Sequence, residues 1–222
     1  MSSEEKSETI SKESTEDQDP ELRILVIGNA AAEKTLVIER IRNRSESQSE
    51  SGETSTKRLK PQALNVKLEG RDPVLFDTPD LYSSAMSDED VIREIKTWIS
   101  ESARHVFLFV LEINRFTAAK RRMVEMVRSS FGEEVAKSMI LVFQGKVPKH
   151  ERMPIEEAIA QAKHLREFDE QCSQRHVVFY TGEEDQCAVR KLKLHIDDIV
   201  QESEGRCYTH EMLAQKRSLG GS

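Results

Sequence analysis

The stretch LRILVIGNAAAEKT, residues 22–35, decides how this chain is read. An apolar run of the kind found in a buried strand ends in Gly28, and Lys34-Thr35 follow at a fixed distance. That is the layout of a phosphate-binding loop, G-x-x-x-x-G-K-[ST], with one substitution. In an intact loop, backbone N–H groups and the N-terminus of the next helix cradle phosphates, and the lysine pairs with them. The glycine before the lysine lets the backbone approach a phosphate oxygen with no side chain in the way. Here Glu33 holds that place. It adds bulk and a negative charge beside an anionic ligand. Either Glu33 pairs with Lys34 and closes the pocket, or it turns to solvent with the loop adjusted around it.

Outward from this stretch, apolar runs alternate with helical patterns. Residues 34–44 read as the helix after the first strand, and residues 45–56 (SESQSESGETST) as a polar, serine-rich segment. Residues 63–68 alternate like a half-exposed strand, 73–77 form a short buried one, and Gly70-Arg71-Asp72 between them suits a hairpin turn. Ser87 caps a helix over residues 88–102 with apolar positions Val91, Ile92, Ile95, Trp98 and Ile99. HVFLFVLEI (105–113) is a central strand, 117–131 a helix, 139–143 a strand. Pro154 opens a helix running toward Cys172, 176–181 is the last strand and 185–203 the last helix. Such alternation predicts a doubly wound α/β sheet, with the loop after the first strand and the turn after Asp77 together at its carboxyl edge.

Composition narrows the function. The 222 residues suit one domain plus tails: residues 1–20 as a disordered acidic tail, 21–206 as the domain and 207–222 as a short C-terminal tail. A net charge of −7 without a large basic block argues against nucleic acid as the main partner. Cys172, Cys187 and Cys207 are odd in number and far apart, which fits a reducing compartment. No window approaches the ~20 apolar residues of a membrane span. The N-terminus is acidic and polar, unlike a signal peptide, and KRSLGGS at the C-terminus lacks a prenylation cysteine. A cytoplasmic protein without a membrane anchor is expected.

Asp77, in VLFDTPDLYSS, stands where a G domain carries the aspartate that acts on the Mg²⁺ shell. At this point the sequence resembles the immunity-associated GTPase (GIMAP) family, whose box here reads D-T-P-G-L-F. The likeness continues through EGRDPVLFD, HVFLFVLEINRFT, MVRSSFGEEVAKSMILVF, CSQRHVVFYT and IVQESEGRCYTHEM, over roughly residues 21–212. It implies the α/β P-loop NTPase fold of a Ras-like G domain. The expected sheet has six strands, mostly parallel, with helices on both faces, residues 22–27 near its centre and 63–68 antiparallel at one edge.

The resemblance also implies GTP or GDP with Mg²⁺ as ligands, and homo- or hetero-oligomers with family members. Gly28, Asn29, Ala31, Ala32, Glu33, Lys34 and Thr35 match the phosphate loop. Lys34 would contact phosphate, and Thr35 would ligate Mg²⁺ with Thr56, the nearest match to the first switch threonine, and with Asp77. Lys146 and Tyr180 fall at the base-binding positions. Arg115 is placed either to act as a catalytic arginine finger toward a neighbouring subunit or to form a salt bridge within the fold.

The departures carry equal weight. Besides Glu33, Asp80 replaces the glycine after Thr78-Pro79, and QGKVPK (144–149) offers no acid after Lys146 to pair with a guanine edge. Two unit charges at ~4 Å repel by about 1 kcal/mol in water and about 4 at an effective dielectric of 20. These changes favour a pseudo-GTPase, an interaction module with weak or no GTP binding, over a GTP-driven switch that oligomerises through its nucleotide face. An unrelated phosphate-ligand enzyme lacks any candidate cluster of base and nucleophile.

Overall fold

β1 (Glu21–Gly28) is buried without a break from Ile24 to Ile27, as a strand covered on both faces must be. The computed structural model describes residues 20–29, 31–43, 62–68, 70–99, 103–113, 117–182, 186–202 and 208. In chain order, β1 is followed by α1 (Ala31–Asn43), β2 (Gln62–Asn65), β3 (Val74–Asp77), α2 (Asp88–Thr97), β4 (Ala103–Glu112) and α3 (Ala118–Phe131). Then come β5 (Met139–Gly145), α4 (Ile155–Ala160), α5 (Lys163–Gln171), β6 (His176–Tyr180) and α6 (Gln186–Glu202).

The strands form one six-stranded sheet in the order β2-β3-β1-β4-β5-β6. Every pairing is parallel except β2 with β3 at the edge. Because successive strand residues point to opposite faces, Leu25 and Ile27 enter one layer while Ile24 and Val26 enter the other. The first layer is closed by α2, α3, α4 and α5, and the second by α1 and α6. The predicted six-stranded, mostly parallel sheet with helices on both faces is therefore the observed one, with β1 central and β2 antiparallel at the edge.

The elements differ from the sequence reading in four places. α1 begins at Ala31 rather than residue 34, the alanines before Lys34 being strong helix formers. The β2 ladder stops at Asn65, because the chain then turns through Gly70 (φ 84°) and is held by Val66 N–H to Pro73 O and by the Leu68–Arg71 bridge. α2 ends at Thr97, and Trp98 caps it with its N–H on Ile95 O while its ring packs 4.8 Å from that of Phe76. The helix expected from Pro154 to Cys172 is two helices. Ala162 leaves helical geometry (φ −114°, ψ 95°), so that Ile155 and Ile159 of α4 and Leu165 and Phe168 of α5 reach the same layer.

A fifth feature concerns the stretch read as tail. Tyr208 is only 1% exposed and packs edge-on against Phe107 and Phe131. Its hydroxyl donates to Phe131 O (2.7 Å), its N–H to Ser138 Oγ (3.1 Å), and its carbonyl accepts from His105 Nδ1 (2.8 Å). Residue 208 thus belongs to the core.

Burial pushes the His105 imidazole below the ordinary histidine range, with the Tyr208 hydrogen bond opposing that shift in part. The folded state therefore favours the neutral ring, and the unfolded chain binds the proton more readily. Stability from this group is complete above the ordinary histidine pKa of 6.5 and is lost as pH falls below it. Between pH 7.5 and 5.5 the native urea midpoint is expected to fall further than that of His105→Asn, which keeps a side-chain donor but does not titrate. Equal falls would assign the pH dependence elsewhere.

Candidate phosphate site

The carboxyl ends of β1 and β3 lie side by side, since Val26 is in register with Asp77. Gly28, Asn29 and the start of α1 thereby face the turn Thr78-Pro79-Asp80-Leu81. Gly28 is a glycine for reasons of space: a Cβ there would meet Lys34 Cγ and Val110 O at 3.1 Å and Val110 Cβ at 3.2 Å. The Lys34 stem is folded over Gly28 and the side chain is buried, only 1% of the residue being exposed.

The lysine head is already engaged. Nζ lies 2.9 Å from Asp80 Oδ1 and 3.6 Å from Asp77 Oδ1, and it donates to the Thr78 carbonyl. Oxygens of Asp77 at the end of β3 and of Thr78 and Asp80 in the turn thus surround the ammonium. The turn itself is pinned to β1: the Thr78 hydroxyl donates to Val26 O (2.7 Å), and Leu81 N–H donates to Gly28 O (3.0 Å). Leu81 is fully buried and anchors this closure. Two polar atoms here remain unsatisfied among the described residues. Asn29 Oδ1 and Asp80 Oδ1 are buried without a hydrogen bond, so the Asp80 contact is an ion pair of poor hydrogen-bond angle.

A phosphate and its Mg²⁺ do not fit this arrangement as it stands. The place beside Nζ is held by carboxylate, and Asp77 leans toward the ammonium instead of standing clear for a metal. Among the described residues, no group of three or more His, Cys, Asp or Glu side chains could hold a metal ion.

The residues singled out from sequence fall as follows. The structure brings together Gly28, Asn29, Lys34 and Asp77, and Thr35 follows Lys34 on α1, partly buried. Ala31, Ala32 and Glu33 open α1, but their side chains lie outside the described residues, as do Thr56 and Arg115 altogether. Lys34 pairs with Asp80, Asp77 and Thr78, and whether Glu33 pairs with it or turns to solvent lies outside the described residues.

On the other side of β4, Lys146 is exposed just after β5 and Tyr180 ends β6. Gly145 is in register with Tyr180, and a Cβ on it would meet Ile113 Cγ2 at 2.4 Å, so Ile113 occupies the side-chain space of this box. Gln144 Nε2 donates to Thr181 Oγ1 (2.8 Å), tying the two strand ends together. Sequence reasoning missed Arg152. Its guanidinium carbon sits 3.6 Å from the centre of the Tyr180 ring, and its Nε donates to Val147 O (3.0 Å). An arginine in a polar loop carries no pattern that foretells such a stack.

Comparison with known proteins bears on the family and the fold. A model of the AIG1 family matches residues 22–220. Immune-associated nucleotide-binding protein 9 of Arabidopsis thaliana is 26% identical over 148 residues, covering 62% of this chain and 43% of that protein. GTPase IMAP family member 8 of Homo sapiens is 27% identical over 161 residues, covering 72% of this chain and 24% of that protein. The chain spans less than half the length of these curated relatives.

Among solved structures, a dimerization-deficient mutant of Toc33 from Arabidopsis thaliana is similar with a TM-score of 0.60 at 15% identity, covering 82% of this chain and 85% of that one. Toc33 in complex with Mg²⁺ and GMPPNP gives a TM-score of 0.59 at 15% identity over the same shares. These likenesses show the P-loop GTPase fold. The family match runs over nearly the whole chain from the first residue of the strand–loop stretch at 22, and this chain belongs to the AIG1 family.

Proposed function

We propose that this chain is a pseudo-GTPase of its family, a G domain kept as an interaction and assembly module with weak or no GTP binding. One observation carries the reading: the phosphate-loop lysine is buried and paired at 2.9 Å with Asp80, a residue of the chain's own switch-like turn. A nucleotide must displace that carboxylate before Lys34 can meet a phosphate. Glu33 and the missing acid after Lys146 work in the same direction.

In this reading the partners are copies of the chain or other family members. Dimerization is important for the GTPase activity of chloroplast translocon components among the structural neighbours, which supports assembly through this domain. No helix among the described residues is long and apolar enough to cross a membrane, and a cytoplasmic location is part of the proposal.

The second reading, a GTP-binding switch, draws on the retained residues Gly28, Lys34, Thr35 and Asp77, and on Mg²⁺ with GDP or GMPPNP in the neighbours. There, Asp80 would swing out when nucleotide and Mg²⁺ enter. Titration with fluorescent GTP and GDP, with and without Mg²⁺, separates the two. Low-micromolar binding that is lost in Lys34→Ala overturns the pseudo-GTPase.

Catalysis gives an independent check. Hydrolysis needs bound nucleotide, Mg²⁺, a positioned water and charge neutralisation. With Lys34 held by Asp80, phosphate release is expected to stay at background at every protein concentration. A rate that climbs with concentration and vanishes in Arg115→Ala would instead show an enzyme activated by its own dimer.

A further inference from the structure

His176 opens β6 beside α4 and α5, and both nitrogens of its ring meet carboxylates. Nδ1 lies 3.0 Å from Asp169 Oδ1 on α5. Nε2 lies 3.5 Å from Glu156 Oε1 in the first turn of α4. The ring and Asp169 are buried, whereas the Glu156 side chain is 66% exposed. A neutral imidazole has one N–H and donates to one of these oxygens, while the imidazolium donates to both. The Asp169 contact is the shorter and the buried one. Loss of a proton therefore leaves the Nε2 lone pair facing the Glu156 carboxylate, which has water to turn to.

We propose that His176 is a proton-operated clip: charged, it fastens α4 to α5 and β6, and on losing its proton it releases the first turn of α4. That helix has little else to hold it. It has six residues, no side-chain cap, and two buried side chains, Ile155 and Ile159. A helix so short does not sustain itself in water.

The groups around the ring set the sign. The backbone N–H of Glu156, and after it the His176 ring, hold the Glu156 carboxyl below the usual carboxylate range against the opposing effect of burial. Glu156 thus keeps its charge while histidine titrates. From α6, Lys191 offers Glu156 a second cation, and His195 lies against the His176 backbone. Burial, and after it Lys191, push the His195 imidazole below the ordinary histidine range, which favours its neutral form. On α5, burial pushes the Cys172 thiol up and keeps it neutral, while Asp169, Arg175 and Arg128 of α3 complete the charged surroundings. Histidine changes charge between about pH 5 and 8. The α4 contact belongs to the low-pH side of that change and is lost as pH rises.

The test uses the full chain without nucleotide. Amide exchange of α4, corrected for its intrinsic pH dependence, is followed from about pH 5.5 to 8.5. The NMR shift of His176 Hε1 reads the protonation of the ring alongside. Protection of α4 should fall by about three- to tenfold as the ring loses its proton, with no such fall in α3. The readout is local because His105 moves global stability the other way. Glu156→Gln alters an exposed side chain, keeps its shape and removes its charge, and should flatten the profile. His195→Asn should leave the profile in place. A native profile that is flat or does not track the ring overturns the proposal, as does one equally steep in Glu156→Gln. A fall that disappears in His195→Asn also overturns it, by placing the proton on α6.

Discussion

Asp80→Gly is expected to raise the affinity of this chain for GTP and GDP by about a hundredfold. Two effects act together. Removing the carboxylate frees Lys34 Nζ, which now has Asp80 at 2.9 Å, to meet a phosphate. It also removes a negative charge from a few ångströms of the ligand, where like charges repel by about 4 kcal/mol at an effective dielectric of 20. The new ammonium–phosphate contact largely replaces the lost ion pair, so the repulsion decides the sign. Each tenfold corresponds to about 1.4 kcal/mol, and a hundredfold gain uses less than the full repulsion. Asp80→Asn removes the charge but keeps the volume, and should give a smaller gain. Fluorescent-nucleotide titration of the three proteins checks this, and unchanged affinity in both variants would show that Asp80 does not guard the site.

Lys34→Ala has the opposite profile: a large loss of stability with little change in nucleotide binding. The ammonium is buried between Asp77 and Asp80, and its removal leaves two carboxylates without the cation that separates them. Breaking a buried ion pair from one side destabilises by about 3–5 kcal/mol. Asp77 and Asp80 keep partial solvent access, which places the expected loss near ~3 kcal/mol, or about 6–12 °C in Tm for a domain of this size. The double variant Lys34→Ala/Asp80→Ala should recover part of it, since one unpaired carboxylate is gone. In a working GTPase the same lysine substitution would abolish nucleotide binding. Calorimetry and titration on one preparation therefore separate a structural lysine from a ligand-binding one.

Much of the architecture was legible because β1, β4 and β5 are covered on both faces, and their unbroken apolar runs suit strands buried in the middle of a sheet. The edge was harder. β2 has one side free, and its ladder is set by the turn at Gly70 more than by its own alternation. The break at Ala162 was hidden because each half of the segment keeps a helical pattern.

At the site, Lys34 was singled out by its spacing from Gly28, and Asp77 and Asp80 by the resemblance of VLFDTPDLYSS to the family's D-T-P-G-L-F box. The direction of Asp80's effect follows from charge alone, but its pairing with Lys34 depends on the register of β1 with β3. Arg152 on Tyr180 and Tyr208 on His105 are contacts between distant parts of the chain. Nothing local in either stretch announces them.

Tyr208 has a further consequence for the order in which this molecule is made. Its contact with His105 joins positions 103 residues apart, so the loop it closes is nearly half the chain. Contacts of such long range close late, after the local entropy has been spent. During synthesis, β4 and α3 leave the ribosome well before residue 208 does. Until it arrives, Phe107 and Phe131 lack the ring that covers them and the Phe131 carbonyl lacks its donor. The nascent domain therefore passes through a stage with its central strand formed and its floor open, and that interval is when it is most exposed to aggregation and to chaperones.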